Sequence, residues 1–407
     1  AQSKATRRDF LKYAAAGAAG VAAGPWVSRN AQAKPVSITF ARESAYVKKF
    51  DEHFQKVMAP AYEKATGIKI EYQIQAAGGS AVPQLVSMVE NKSGADVAWV
   101  QQEQLYRDAL VDVSDIAEAV GKEQGGWYDE IKLLSIDDKG KWKSVPMGNI
   151  GQLMNYRKDW FDEVGVKKFP ETWDEFLEAG TKLKAKGHPF GMSMGHGFAD
   201  NYSWLYPLLW SYGVTVMDKA GKKVALDSSE TAKAVEYVKK LYKDACIEDC
   251  IGWLDPANNK AFLTSQISCT NNAYSIMVSA KRDLPEMGKV IEHALNPKGP
   301  NGQRYHALVA VTHGVFAYSK DVQAAKDFLR WIMDPKQFRP WIASGDMYFA
   351  PYLHGFDKAP EWDIEPRVKP FQKVLETGKL TSWPAPANRQ HAEVVNRWIV
   401  IDMFTKA

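Results

Sequence analysis

The chain has 407 residues, 45% of them apolar and 25% charged, with three cysteines. This is enough material for two or three packed domains, and it excludes a collagen, a long coiled coil, a disordered chain and a disulfide-scaffold miniprotein. The formal charge of +4 resides entirely in residues 1–33, where Lys4, Arg7, Arg8, Lys12 and Arg29 face only Asp9; the other 374 residues balance 47 basic against 47 acidic groups. A nucleic-acid-binding footprint is therefore absent, and no apolar run approaches the roughly eighteen residues of a membrane-spanning helix.

Residues 1–33 read as an address. Thr6-Arg7-Arg8-Asp9-Phe10-Leu11-Lys12 precedes a weakly apolar Ala/Gly stretch, and Ala31-Gln32-Ala33 supplies the small residues that a signal peptidase needs. The paired arginines followed by Phe-Leu resemble a twin-arginine (Tat) export signal. That resemblance implies passage through the Tat translocase, a mature protein starting at Lys34 and a periplasmic location. No cysteine lies near the cleavage site, so no lipid anchor is expected.

The chain beyond opens as alternating strand and helix. Val36–Phe40 reads as a strand; Phe50, Phe54, Val57 and Ala61 mark one face of a helix that ends at Gly67. Ile68, Ile70, Tyr72 and Ile74 alternate as a second strand, a helix spans about Pro83 to Asn91, and Asp96–Val100 is a third strand. Such spacing predicts parallel pairing in an α/β sheet, with ligand-binding loops at strand carboxyl ends: Arg42-Glu43-Ser44, Gln75 to Ser80, and Trp99 to Gln102. A second unit begins near Val145. Thr172-Trp173-Asp174-Glu175 is a capping box, Asp227-Ser228-Ser229-Glu230 repeats the device, and a helix from about Val322 to Met333 stops at Asp334-Pro335. The tail, Val394 to Ala407, reads as an unfinished helix, so a truncated C-terminus is expected.

Catalytic patterns are few. Gly191-Met192-Ser193-Met194-Gly195 fits G-x-S-x-G, but a nucleophile elbow needs a helix at once, and Gly195-His196-Gly197 cannot start one. A hydrolase using Ser193 is thus the lesser reading, and a strand the better one. The eight histidines show no HExxH, and neither a P-loop nor GxGxxG occurs, so no metal and no cofactor are expected. In an oxidising compartment Cys246 and Cys250, with Cys269 on a strand, suggest a local disulfide, with buried free thiols as the alternative.

What stands out is aromatic and polar content in loop-like segments. Trp99 stands beside Gln101-Gln102; Trp204 follows Asp200, Asn201 and Tyr202; Trp253 precedes Asp255, Asn258 and Asn259; Trp383 precedes Asn388 and Arg389. Aromatic faces cover the C–H side of a sugar or polyol, and amides, carboxylates and arginines meet its hydroxyls. Each cluster alone is more often a piece of core; the four together point to a cleft for a polar small molecule.

The order of further motifs resembles the extracellular solute-binding proteins of ABC importers, family 1, the maltose- and glycerol-phosphate-binding type. The resemblance rests on Val145-Pro146-Met147-Gly148, Leu153 to Asp159, Phe161 to Val166, Pro170 to Phe176, Lys260-Ala261-Phe262 with Ser265-Gln266-Ile267, Gly314 to Lys320, and Ala325 to Leu329. It covers residues 36–407, with Ser265 where the family commonly has glycine. It implies an α/β, two-lobed periplasmic-binding-protein fold (type II), each lobe a mostly parallel sheet flanked by helices. One lobe would comprise 34–146 plus 312–358 and the other 147–311 plus 359–407, with solute captured between them. The implied function is non-enzymatic: a monomer delivers a sugar, polyol or sugar phosphate to a membrane permease. A polyamine or carboxylate is the alternative cargo on the same fold. The implied ligand residues are Glu43, Ser44, Gln75, Gly79, Gln101, Thr312 and His313 from one lobe. From the other come Asn149, His196, Asp200, Trp204, Trp253, Asn271, Asn272, Trp383 and Arg389. For a phosphate or carboxylate the candidates are Arg42, His196, His313 and Arg389.

Overall fold

A computed structural model describes residues 37–75, 81–363 and 365–407; the export signal and Gly79 lie outside them. The strands in chain order are β1 (Ser37–Glu43), β2 (Lys69–Gln75), β3 (Val97–Trp99), β4 (Val145–Ile150), β5 (Leu153–Arg157), β6 (Cys269–Asn272), β7 (Ile291–Ala294), β8 (His306–Ala307), β9 (Ala310–Val315), β10 (Phe349–Pro351) and β11 (Gly378–Lys379). Six of them form one sheet in the order β10-β4-β9-β3-β1-β2; a second sheet is β6-β5-β7, and β8 pairs with β11.

The strand–helix–strand opening folds as its periodicity predicts. β1 pairs in parallel with both β2 and β3, and the helical segment between β1 and β2 ends on Gly67 at φ +74°, a left-handed conformation that glycine adopts without penalty. Beneath this sheet Phe40, Phe50, Phe54, Phe328 and Trp341 interlock, Phe50 stacking on Trp341 at 4.5 Å and Phe40 meeting Phe54 at 5.2 Å. Arg42 points into this layer, its guanidinium 4.7 Å from the Phe50 ring centre and 5.0 Å from that of Phe349.

The expectation of mostly parallel sheets needs correction, although the two-lobed α/β class stands. β3–β9, β4–β9 and β4–β10 are antiparallel, and so is every pair of the three-stranded sheet. The cause is connectivity: β9 and β10 return from remote parts of the chain and enter against the local direction. The expected disulfide is likewise not formed. Cys246, Cys250 and Cys269 are free, buried thiols, and a hydrogen bond with the Cys246 thiol, then burial, pushes that of Cys250 well up.

Two residues, Gly151 and Gln152, separate β4 in the large sheet from β5 in the small one, so the chain steps between sheets there. Gly151 is needed at this step, because a Cβ would sit 2.9 Å from the Phe371 ring. The capping box forms as predicted on the helix Trp173–Ala185: Glu175 N–H donates to Thr172 Oγ1 and Thr172 N–H to Glu175 Oε2, both at 3.3 Å. That helix buries Trp173, Phe176, Ala179 and Leu183. Ser228 caps the long helix Ser229–Ala245, and Asp321 caps Val322–Ile332. The tail forms two short helices, Arg389–Asn396 and Ile399–Thr405.

Candidate functional site

Where the end of β1 approaches the second sheet there is a cavity with about 450 Å³ of atom-free space. The large sheet and its loops contribute Glu43, Ser44, Tyr46, Trp99, Tyr348 and Phe349; Gln152 comes from the step between sheets; Phe198, Asp200, Asp255, Asn259 and Asn272 come from the other side. Trp99 and Phe198 meet edge to face across it at 5.7 Å. Beyond Phe198 lies a second, adjoining pocket, bordered by Gln101, Gln102, Tyr202, Ser382, Asn388 and His391 among others.

Each wall is held by hydrogen bonds its own sequence supplies. Asp51 accepts from Ser44 Oγ at 3.0 Å and Ala45 N–H at 2.8 Å on one oxygen and from Tyr72 Oη at 2.9 Å on the other, which fixes the turn after β1. Gln101 Nε2 donates to Glu43 at 3.0 Å while its Oε1 accepts from Ala81 N–H. Opposite, Asn272 Nδ2 lies 3.1 Å from Asp200 Oδ2, 3.0 Å from Asn258 Oδ1 and 2.6 Å from Asn259 Oδ1. Ala199 N–H donates to Asp255 Oδ2 at 3.0 Å, and Gly197 is obligatory beside it, since an added Cβ would fall 2.1 Å from Asp255 Oδ1. Asn201 Nδ2 ties the loop together through the carbonyls of Gly195 and Gly197.

The electrostatics follow from three buried acids, Glu43, Asp200 and Asp255, exposed by 6, 5 and 5%. Burial, then the Asp255 charge, raises the Asp200 carboxyl well above the ordinary range, against the pull of Asn258 and Gln152. Burial pushes Asp255 up to about 6, with the amides of residues 198–200 opposing it. The Tyr46 and Tyr348 hydroxyls are raised too, by burial first; at Tyr46 the charges of Asp200, Asp255 and Glu43 add to it, and at Tyr348 the Tyr46 hydroxyl and then the same three acids. No Lys, Arg or His is among the described residues that line it.

Of the residues expected from sequence, Glu43, Ser44, Asp200 and Asn272 line the first cavity, and Gln101 braces Glu43 from the second. The others stand elsewhere. Gln75 ends β2 opposite Glu43, where its carbonyl accepts from Ser44 N–H. Asn149 lies in β4 and accepts from Val309 N–H and Tyr352 Oη. Trp204 is wholly buried and donates to the Ser193 carbonyl. Trp253 packs on Gly191, Asn271 donates to Asn296, and Thr312 and His313 are buried in β9, the His313 ring 5.3 Å from Phe40. Trp383 packs on Trp210 and Tyr305. His196 stacks on Trp398 and pairs with Asp402 at 2.6 Å, and Arg389 is an exposed helix-start residue. Ser193 Oγ is buried without a hydrogen-bond partner, hence without a general base. Arg42 and His313, candidates for an anion, are sealed in the core on the far face of β1 and in β9.

Sequence reasoning missed Tyr46, Gln152, Asp255, Asn259 and Tyr348. Asp255 and Asn259 belong to the polar cluster after Trp253, and the signal was there: the small polar groups, not the ring, face the cavity. Gln152 had a signal as well, a polar residue in the two-residue step between β4 and β5.

Among the described residues no His/Cys/Asp/Glu group could hold a metal ion, and no helix is long and apolar enough to cross a membrane. Comparison with known proteins fits this two-sheet arrangement. A maltose-bound protein of T. maritima superposes with a TM-score of 0.78 at 19% identity, covering 91% of this chain and 95% of that one. A sugar transporter of Arthrobacter chlorophenolicus with bound laminaribiose gives 0.77 at 17%, with 91% and 94% covered. By sequence, a binding protein of Brucella abortus is 22% identical over 302 residues, 74% of this chain and 72% of that protein; an ABC transporter-binding protein of Deinococcus radiodurans is 26% identical over 209 residues, 47% of each. Residues 44–337 match the family described as bacterial extracellular solute-binding protein. That match spans most of the chain and places it in the family: this protein is a bacterial extracellular solute-binding protein.

Proposed function

We propose that the chain captures a sugar or polyol in the cavity between its sheets and hands it to the membrane permease of an ABC importer. The observation that carries this reading is the composition of the cavity: Tyr46, Trp99, Phe198 and Tyr348 offer ring faces, and Glu43, Ser44, Gln152, Asp200, Asn259 and Asn272 offer polar groups from both sides. Rings cover the C–H face of a hydroxylated solute while carboxylates and amides take its hydroxyls. A sugar phosphate is the weaker version, because no cationic side chain is among the described residues lining this cavity.

A solute that touches both walls stabilises the closed arrangement more than the open one, and only that difference can drive closure. The lobes are then 34–146 plus 312–358 and 147–311 plus 359–407, and the closed protein docks as a monomer on the permease. Export through the Tat translocase, directed by residues 1–33, completes the reading and puts the protein in the periplasm. The bound relatives from T. maritima and Arthrobacter chlorophenolicus, holding maltose and laminaribiose, support the choice of carbohydrate.

The test is a thermal-shift panel of mono- and disaccharides, polyols, glycerol phosphates, amino acids and polyamines on protein starting at Lys34. A ligand present at 100 times its Kd adds about 2.7 kcal/mol, a readily measured rise in Tm. A rise with sugars or polyols, and none for Asp200→Ala with Asn272→Ala, is expected. Stabilisation by none of the carbohydrates, with the protein folded, would overturn the reading.

A further inference from the structure

Phe198, Ala199 and Asp200 line the first cavity, and the loop that carries them, residues 195–201, is gripped from behind by the tail of the chain. Trp398 Nε1 donates to the Gly197 carbonyl at 2.9 Å, the His196 ring lies 7° from parallel with the Trp398 ring at 4.8 Å, and His196 Nε2 pairs with Asp402 Oδ1 at 2.6 Å. The bonded partners stand 201 and 206 positions apart in the chain. His196 is exposed while its loop neighbours are buried or half-buried, so the grip is made on the outer surface. None of His196, Trp398 and Asp402 is among the described residues bordering either cavity.

Trp398 adopts φ +51°, the left-handed region, where a bulky aromatic residue is strained and persists only when its surroundings hold it. Its N–H donates to the Val395 carbonyl at 3.0 Å and its carbonyl accepts from Asp402 N–H at 2.8 Å, so this bend between the last two helices delivers both Trp398 and Asp402 to the loop. Lys406 Nζ lies 2.7 Å from the second Asp402 oxygen; Lys406 first and His196 next hold that carboxyl below the usual range. The cavity side of the loop is just as tight. The Gly197 carbonyl also accepts from Asn201 Nδ2, and a Cβ on Gly197 would fall 2.1 Å from Asp255 Oδ1. Ala199 N–H donates to the other Asp255 oxygen at 3.0 Å. Only the thickness of the Gly197 backbone separates the tail's grip from an acid that lines the cavity.

We propose that Trp398, His196 and Asp402 are positioning residues for solute capture: by fixing residues 195–201 from outside, they set where Phe198 stands against Trp99 and where Ala199 N–H meets Asp255. The proposal rests on the reading of this cavity as the solute site. A loop with two glycines around one histidine loses much backbone freedom when it is ordered. A wall ordered in advance by the tail spares the solute that cost on binding. The hydrogen bond, the ring stack and the charged pair are each modest, but all three bear on one short segment.

The experiment is amide hydrogen exchange on the protein starting at Lys34, without solute. Asp402→Ala releases His196, Trp398→Phe keeps a ring to stack on but removes the donor, and Asp402→Asn keeps the acceptor. In the first two, the Gly195 amide, bonded to the Trp253 carbonyl, and the Ala199 amide should exchange roughly 3–10-fold faster, the range of one net hydrogen bond. Asp402→Asn should match wild type, and the helix Trp173–Ala185 should exchange unchanged throughout. Inside the cavity, Asp255 is raised by burial to about 6 against the pull of the Ala199 amide. A looser amide pulls less, so in Asp402→Ala its carboxyl should titrate at higher pH by carboxyl-carbon NMR, and in Asp402→Asn as in wild type. The other titratable groups facing Asp255 are Asp200, Tyr46, Tyr202 and Tyr348, with Glu43 across the cavity, and the substitutions leave them in place. Any sugar or polyol of the thermal-shift panel that stabilises wild type should stabilise Asp402→Ala less and Asp402→Asn equally. Unchanged exchange in the loop, acceleration spread over the whole chain, or an Asp255 titration that does not move would overturn the proposal. A wild-type protein stabilised by no solute, with exchange and titration as expected, would overturn the solute reading and leave the tail's hold on the loop standing.

Discussion

Acid should weaken this fold through its buried histidines, and His391 isolates the effect. His391 is 3% exposed, beside the second cavity, and neither ring nitrogen has a hydrogen-bond partner. Burial lowers its value to about 4, against an ordinary 6.5. A folded-state value below the unfolded one means that stability is fully present above pH 6.5 and is lost as pH falls from 6.5 towards 4. At about 1.4 kcal/mol per pH unit, His391 alone costs roughly 2 kcal/mol at pH 5. His293 and His306, both lowered to about 3 by burial, act in the same direction; Asp255, raised to about 6, opposes them, since its protonated form is favoured in the fold as pH falls through 6. The test is urea unfolding of wild type and His391→Phe, followed by tryptophan fluorescence at pH 7.5 and pH 5. The phenyl ring keeps the edge contact with Tyr206, now 6.3 Å between ring centres, and cannot titrate. Whatever the variant's stability at pH 7.5, its difference from wild type should move by roughly 2 kcal/mol in its favour at pH 5. An unchanged difference would refute the reasoning.

Other outcomes follow from the same geometry. Gly197→Ala should weaken solute binding at least tenfold by pushing Asp255 off the Ala199 amide, read by calorimetry, while a full-length circular dichroism spectrum stays native. Thr172→Ala removes the hydroxyl that accepts from Glu175 N–H while leaving the Thr172 backbone N–H bonded to Glu175, and should cost about 1 kcal/mol in urea without altering solute affinity. All three cysteines should resist alkylation in the native protein and label together once it is unfolded without reductant; a bridged pair would label only one thiol.

How far the sequence could be read depends on the range of each interaction. The Thr172–Glu175 box and the Ser228 cap involve neighbours in the chain, and both form as written. The first three strands announce themselves by alternation, and their parallel pairing follows from the helices between them. β9 pairs with β3 and β4 across more than 160 positions (Val145 opposite His313), so nothing local tells that it runs antiparallel. The site divides in the same manner. Glu43 and Ser44 follow a legible strand end, Asp200 stood in the cluster before Trp204, and Asn272 came from the family resemblance alone. Trp204 misled because a tryptophan among polar residues resembles a sugar platform; its helix, Tyr202–Ser211, is buried all round, and its Leu-Tyr-Pro-Leu-Leu-Trp run already spelled core. His313 misled because a central strand buries both faces, a circumstance set by the neighbours β3 and β4.

The two-residue step at Gly151-Gln152 has a mechanical consequence. Two residues span at most about 7 Å even when fully extended, so the sheets cannot draw apart at this point. Any relative movement must be a rotation with its axis close by, its amplitude growing with distance along the lever. Gln152 therefore sits where displacement is smallest while lining the cavity. A solute held by Gln152 would be anchored at the fulcrum, while contacts across the cavity farther from the step would carry the larger displacement.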